Sequence, residues 1–594
     1  MPKPQPSIPG LVIGGTGSNS GKTTFTLALL CALHKRGLAA RAAKTGPDYI
    51  DAAFHADLTG QPAANLDTWM CRESAPSPGS QSLRTSGGLP KGLLRVFERM
   101  RLPDRQTAGV LTTAAPCPPD LLVVEGAMGI FDGGHNGAGS TAHLGSLLGL
   151  PILLVLNAGG MGQSVTAMAE GFLHHRPAWA KGRALRFLGM VCTHVGSTRH
   201  ADLLRQSLAP LGKSEGVPLL GLLPRQGAPA LAARHLGLVE AHEALPAVDR
   251  QALAQWAEDH CDLDLLLRLA GVRSSLHPAS MAAPTEAPVQ EEKPAGATLA
   301  CLRPDYAAQP AGGPENRRDT PHGCKCTVDS GSRQGPAQAV ESESAAMPLP
   351  ASRFFATDAT ACRGRSKLVV GLAWDEAFSF CYADLPAVLR ELRAEVVAFS
   401  PLRDAAPPTQ CSGLYFPGGY PELHAAGLAA NTPMRAALHR LAAQGMPMYG
   451  ECGGYMYLMR SLQMNGRQYA MSGLLPRSCA LGATRAALGY RAATAAPGFL
   501  PSARVNAQGN TSGNRPLWVR GHEFHYAQEQ NTPLPPQCSP LWKLYDSQGL
   551  FLRDDGCRLG SVAGAWLHCY PEGSRSFWRV WLGLCAAYNK DQRS

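Results

Sequence analysis

The stretch Leu11-Val-Ile-Gly-Gly-Thr-Gly-Ser-Asn-Ser-Gly-Lys-Thr-Thr24 decides the fold of the first half of the chain. Three apolar residues make a short buried strand, small residues make a tight loop, and Phe25 to Leu33 continues as an apolar helix. Strand, loop and helix in that order predict a phosphate-binding loop. Gly15, Gly17, Ser20 and Gly21 leave backbone N–H groups free to surround phosphate oxygens, and Lys22 brings charge to the β and γ oxygens. The Thr23 hydroxyl is suited to ligate Mg²⁺, with Thr24 beside it in the nucleotide loop. The strict spacing requires glycine at position 16, where this chain has Thr16, so the loop is a variant. Partition-type ATPases carry a signature lysine at position 17, and Gly17 argues against that class.

Outward from the loop, Arg41-Ala-Ala-Lys-Thr-Gly-Pro-Asp-Tyr-Ile-Asp51 brings acidic and basic groups to the end of a second strand. Lys44 is a candidate to neutralise a transferring phosphoryl group, and Asp48 to hold Mg²⁺ or orient a substrate. In Asp120-Leu-Leu-Val-Val-Glu-Gly-Ala-Met-Gly-Ile-Phe-Asp132, four apolar residues predict a buried parallel strand. Glu125 falls at its C-terminal end, where α/β sheets bind ligands, and reads as a second Mg²⁺ ligand; Asp132 is a further contact to metal or substrate. Ser140 to His143 opens a helix, and further strands are expected over 151–156, 188–193 and 217–224, giving a mostly parallel sheet. Loops at Gly196 to His200 and Pro224-Arg225 are candidates to meet the nucleotide base, and a helical tail runs from Val239 to Leu269.

From about Gly271 to Gly364 apolar periodicity disappears, which predicts a disordered linker. The cysteines of His322-Gly-Cys-Lys-Cys326 within it are incidental rather than a metal site. A fresh α/β domain begins at Lys367 with strands over 367–373, 395–399 and 411–416. The domains expected are therefore 1–270, a linker over 271–365, and 366–594. In the last of these, Tyr449-Gly-Glu-Cys-Gly-Gly-Tyr455 reads as strand, tight turn and helix, with Cys452 on an elbow where the helix N-terminus favours a thiolate. Pro417-Gly-Gly-Tyr-Pro-Glu422 offers Gly418 and Gly419 backbone N–H groups to an oxyanion, and His568 is the chosen base.

Composition bounds the class. The 594 residues exceed one core, 17 cysteines without a secretory signal predict a cytoplasmic protein, and no apolar run spans a bilayer. The net charge of +10 comes from dispersed arginines without basic runs, which favours a polyanionic small molecule over nucleic acid.

The stretches 46–51, 125–133, Arg234-His-Leu-Gly-Leu238, Asp375-Glu-Ala-Phe-Ser-Phe380, 417–422, 451–454 and Gly521-His-Glu-Phe-His-Tyr526 resemble the cobyrinic (hydrogenobyrinic) acid a,c-diamide synthase family. The resemblance implies a dethiobiotin-synthetase-like ATPase domain joined to a class I glutamine amidotransferase domain of flavodoxin-like fold. It implies amidation of the c and then the a acetate of a corrin ring in cobalamin biosynthesis, with ATP, Mg²⁺ and glutamine. Residue by residue, it places the nucleophile on Cys452, the histidine on His568, the nucleotide and metal site on Lys22, Thr23 and Glu125, and the synthetase stretch on Asp48, Tyr49 and Asp132. Two positions depart. Many class I amidotransferases have glutamate two residues after the histidine, where this chain has Tyr570 followed by Glu572, and Thr193-His194 replaces a common Asn-Arg. Cobyric acid synthase shares the architecture and is the near alternative; a non-catalytic nucleotide switch is the distant one. A homodimer is compatible with the sequence, not demanded by it.

Overall fold

In the N-terminal half seven strands alternate with helices, and every strand pairing is parallel. They are β1 (Gly10–Gly15), β2 (Ala40–Thr45), β3 (Ala64–Leu66), β4 (Leu121–Gly129), β5 (Ile152–Asn157), β6 (Phe187–Val195) and β7 (Leu219–Pro224), in the order β3-β2-β4-β1-β5-β6-β7. The molecule is described by a computed structural model over residues 8–75, 89–102, 118–134, 137, 139–180, 185–227, 249–272, 368–496, 517–530 and 533–592. The continuous apolar runs have a simple cause: helices cover both faces of the sheet. Leu11 and Ile13 enter one core with Leu121 and Val123, while Val12 enters the other with Leu122 and Val124.

Helix α1 (Lys22–Lys35) leaves the loop after β1, and Gly21 at its start has φ 81°, a left-handed conformation that favours glycine. Helix α2 (Tyr49–Thr59) starts at Asp48, whose carboxylate accepts the N–H groups of Ile50 and Asp51 as an N-cap. Helix α3 is Lys91–Arg101, and α4 (Thr141–Leu148) is capped by Ser140. Strand β4 continues past Glu125 to Gly129, beyond the expected end. The expectation holds for the ladder, because regular pairing ends at Glu125, opposite both Lys44 and Ile13.

The C-terminal half has a second parallel sheet of β8 (Leu368–Ala373), β9 (Ala394–Phe399), β10 (Gly413–Phe416), β11 (Met448–Glu451) and the strand Val562–Ala565. Its order is β9-β8-β10-β11-(562–565), the 2-1-3-4-5 order of flavodoxin-like folds, with Cys557–Leu559 antiparallel at the edge. A separate antiparallel sheet, built on Ala487–Ala495 and Trp518–His525, takes in His568–Cys569.

Both halves belong to one compact unit. Across their contact, Glu572, fully buried, accepts Arg95 at 2.7 Å and Arg99 at 2.6 Å from α3. The Tyr570 hydroxyl donates to Asn65 O at 2.6 Å, and Tyr490 donates to Asp67 at 2.6 Å. Arg520 lies over the Trp69 ring at 4.5 Å. Of the expected helical tail, the described residues form two helices, Arg250–His260 and Leu263–Ala270, and residues 239–248 lie outside the described residues. Residues 234–238 and 322–326, and all but the start of the expected linker, lie outside the described residues. Among the described residues no helix is long and apolar enough to cross a membrane.

Candidate active site

Three neighbouring strands deliver the first cluster. β1 leads into the phosphate loop, β2 carries Lys44 and β4 carries Glu125 directly opposite it. Glu125 Oε1 accepts the Thr23 hydroxyl at 2.6 Å and Lys44 Nζ at 2.8 Å, while Oε2 lies 2.7 Å from His55 Nε2. Lys44 Nζ also pairs with Asp51 Oδ2 at 2.6 Å. Lys22 Nζ donates to Gly17 O at 2.7 Å and to Ser20 Oγ at 3.3 Å. Gly15 is required here, since a Cβ would meet Ser20 Oγ and the Lys22 stem. Asp132 Oδ2 accepts the Gly129 N–H at 2.8 Å, and Asp48 Oδ1 is engaged in the α2 cap.

The charges of this cluster are coupled. Burial opposes the Glu125 carboxylate, but Lys44 and the hydrogen bond from His55 outweigh it and hold its pKa well below the usual range. Burial likewise opposes the Lys44 ammonium, and Glu125 and Asp51 overcome it, raising its pKa. One ammonium thus serves two carboxylates. Burial and the charge of Glu125 push Asp51 up to about 6 despite its bond to Lys44. Burial and Lys44 lower the pKa of Lys22, against the pull of Glu125, Asp132 and Asp51. The site therefore holds more anionic than cationic groups and has oxygen donors suited to Mg²⁺, which typically binds one or two carboxylates together with substrate phosphates.

Asp51 and His55 were not among the sequence candidates. They stand at i and i+4 on one face of α2, so their signal was helical spacing from the Asp48 cap. Arg225 is exposed after β7, with β5 and β6 between its strand and β1. Thr193 reaches the phosphate loop itself: its hydroxyl donates to Ser20 O at 2.8 Å.

The second cluster is built around Cys452. Strand β11 ends at Glu451, and Cys452 takes φ 48° and ψ −104° before the helix Gly453–Leu458. A non-glycine residue in that conformation costs about 1–3 kcal/mol and is fixed by its surroundings. Here the Cys452 N–H donates to Ala565 O at 2.8 Å. Its Sγ lies 3.8 Å from Phe524 O. The expected thiolate is not what the surroundings favour. Burial, with Glu422, raises the thiol pKa above its ordinary value, and neither the Gly453 N–H nor a six-residue helix offsets this. Glu451 is buried too; it accepts Tyr415 Oη at 2.8 Å and the Cys569 N–H at 3.2 Å, and burial pushes it up to about 7.

The glycine turn lies against this elbow. A Cβ on Gly453 would stand 2.9 Å from Gly419 N, and one on Gly418 would collide with the His568 ring. The two glycines thereby bring Gly419 N–H, Cys452-Gly453 and His568 into one neighbourhood. His568 stacks on His522 with centroids 4.8 Å apart and 14° between planes. Burial, then His522 and His525, lowers the His568 pKa well below its ordinary value, so the imidazole is neutral and a weaker base than an ordinary histidine. Its Nδ1 is buried without a hydrogen-bond partner among the described residues. Neither Tyr570 nor Glu572 takes up that position. Tyr570 Oη is engaged by Asn65 O and Asp384, and Glu572 by Arg95, Arg99 and Arg575.

Residues 11–239 match the CobQ/CobB/MinD/ParA nucleotide binding domain, and residues 369–575 match the CobB/CobQ-like glutamine amidotransferase domain. The hydrogenobyrinate a,c-diamide synthase of Brucella abortus is 32% identical over 562 residues, covering 94% of this chain and 98% of the Brucella protein. That of Rhodobacter capsulatus is 34% identical over 566 residues, with 94% and 98% covered. The chain belongs to the hydrogenobyrinate a,c-diamide synthase family. As a member of that family it is an amide-forming ligase, with a nucleotide binding domain and a glutamine amidotransferase domain on one chain. A solved glutamine amidotransferase chain aligns with 36% of this chain and 98% of its own length, at 17% identity and TM-score 0.25.

Proposed function

We propose that this chain converts hydrogenobyrinic or cobyrinic acid into its a,c-diamide for cobalamin biosynthesis, drawing nitrogen from glutamine and driving the reaction with ATP. The carrying observation is the presence, in one compact unit, of a phosphate loop facing buried carboxylates and a strained cysteine elbow beside a glycine turn. Residues up to 270 supply the synthetase, those from 366 the glutaminase, and 271–365 the connection.

In the glutaminase half, Cys452 Sγ attacks the side-chain amide carbon of glutamine while its proton passes to His568. Backbone N–H groups of Gly419 and Gly453 receive the developing oxyanion. Collapse expels ammonia, with the proton returned from His568, and water releases glutamate from the thioester. Because burial keeps the Cys452 thiol protonated, proton transfer to the neutral His568 accompanies the attack.

In the synthetase half, a corrinoid carboxylate oxygen attacks the γ-phosphorus of ATP, giving an acyl phosphate and ADP. Ammonia then attacks the acyl carbon and expels phosphate. A free carboxylate resists such attack, which is why activation comes first. Lys22 and the loop N–H groups hold the phosphates, Lys44 fixes Glu125 and Asp51, and Asp48 and Asp132 border the carboxylate, while Tyr49, expected there, turns its ring toward Phe380 and His568. Thr23 and Glu125, with Asp48 or Asp51 nearby, would hold Mg²⁺, which when bound neutralises charge on the transferring group. The cysteines among the described residues are all free thiols, in keeping with a cytoplasmic setting.

The test is to supply ATP, Mg²⁺, glutamine and either corrinoid acid and to identify products by mass spectrometry. Two carboxyl-to-carboxamide conversions are expected. Four would identify a cobyric acid synthase, and none would overturn the proposal.

A further inference from the structure

Tyr49 belongs to the turn that carries Asp48 and Asp51, yet its ring lies among residues of the other half. It stacks on Phe380 with centroids 5.5 Å apart and 7° between planes. Tyr382 stands at 4.6 Å, and His522 and His568 each at 5.5 Å. Tyr382 Oη is 2.9 Å from His522 Nδ1, so the cage around Tyr49 is itself tied together. One residue therefore has backbone neighbours in the carboxylate cluster and a side chain against the glutaminase histidine.

Phe380 carries the contact on to the oxyanion turn. Its N–H donates to Gly418 O at 3.0 Å, forming an isolated bridge between the two residues. Gly418 has no room for a Cβ because the His568 ring fills that space, and Gly419 is held closely against Ala377 O. The route from Asp51 to the oxyanion turn is thus short and packed: turn, Tyr49 ring, Phe380 ring, Gly418. A shift of the Asp48 to Asp51 turn cannot leave Phe380 undisturbed, because the rings are in contact and protein interiors are closely packed.

We propose that Tyr49 and Phe380 form a strut that couples the two sites, so that Cys452 hydrolyses glutamine at its full rate only when nucleotide and carboxylate substrate engage the Asp48–Asp51 turn. Both are positioning residues: they act through Gly418 and His568 rather than on glutamine. The inference rests on the glutamine-dependent reading above and adds a chemical consequence to it. Ammonia released with no acyl phosphate waiting is wasted, and the strut ties its release to activation of the acceptor.

The experiment uses the full chain and measures glutamate released and amide formed, with and without ATP, Mg²⁺ and hydrogenobyrinic acid. In the natural chain one glutamate should appear per amide, and the synthetase substrates should stimulate glutaminase by about tenfold or more, a typical coupling. Phe380→Ala should lose most of that stimulation and release glutamate in excess of amide, while its rate with ammonium chloride stays that of the natural chain. Phe380→Tyr and Tyr49→Phe, which keep the stacked ring, should remain coupled. If Phe380→Ala does not fold, Phe380→Leu removes the flat ring while keeping apolar volume and is read in the same way. A one-to-one ratio with full stimulation in the ring-deleted variant overturns the strut. Absence of glutamate from the natural chain with every substrate present overturns instead the glutamine-dependent reading.

Discussion

Glu125 and Glu451 are both buried carboxylates, 0% and 1% exposed, each at the C-terminal end of a parallel ladder, and their surroundings shift them in opposite directions. Glu125 meets a lysine and a histidine and stays ionised despite its burial. Glu451 meets a phenol and a backbone N–H, and burial pushes it up to about 7. Their surroundings follow suit. Around Glu125 lie Lys22, Lys44, Asp48, Asp51 and Asp132; around Cys452 the thiol is held protonated and His522 and His568 neutral, with burial lowering His522 to about 3. The difference matches the two chemistries proposed. Phosphoryl transfer needs full charges fixed in place, whereas ammonia must leave the second site unprotonated to remain a nucleophile.

The largest effect falls on the charged side. Lys22→Ala should abolish amidation with either glutamine or ammonia, read as amide formed per ATP consumed; activity from ammonia would break the assignment of the phosphate loop. Next, Glu125→Gln leaves the Lys44 ammonium with one carboxylate in place of two. Breaking a buried pair costs about 3–5 kcal/mol, which denaturant unfolding of the variant should register.

On the neutral side the response should run with pH. The folded pKa of Glu451, about 7, lies above the ordinary glutamate value of 4.5. Its protonated form therefore contributes stability that is full below about pH 4.5 and lost as pH rises through 7. The contribution is about 3 kcal/mol. Glu451→Gln should show a smaller loss of stability than the natural chain between pH 5 and pH 8, measured by urea midpoints; equal losses would place the titration elsewhere. The smallest effect is expected from Tyr570→Phe, which removes a hydroxyl bonded to Asn65 O across the two halves. It should cost about 1 kcal/mol of stability and leave the rate with ammonia unchanged.

Much of the fold could be read because its signals are local. The run from Leu11 to Leu33 contains the whole strand–loop–helix unit, and Gly453-Gly454 marks the elbow after β11. Lys44 and Glu125 were legible as strand-end residues, but their direct opposition depends on β2 and β4 being neighbours, which no short stretch encodes. Asp51 and His55 went unassigned because the start of α2 depends on the Asp48 cap. The thiol state of Cys452 could not be read from its helix, since burial and Glu422 decide it. Glu572 received no role from its place after Tyr570 in the sequence; in three dimensions it answers Arg95, 477 residues away. Its role is to join the two halves.

The central claim is that nitrogen enters at Cys452 and is used at the carboxylate cluster. The most direct measurement compares Cys452→Ala with the natural chain, using ATP, Mg²⁺ and hydrogenobyrinic acid with glutamine or with ammonium chloride, and counts amides by mass spectrometry. The account predicts no amide from glutamine and two from ammonium. Amide from glutamine, or none from ammonium in the folded variant, would contradict it.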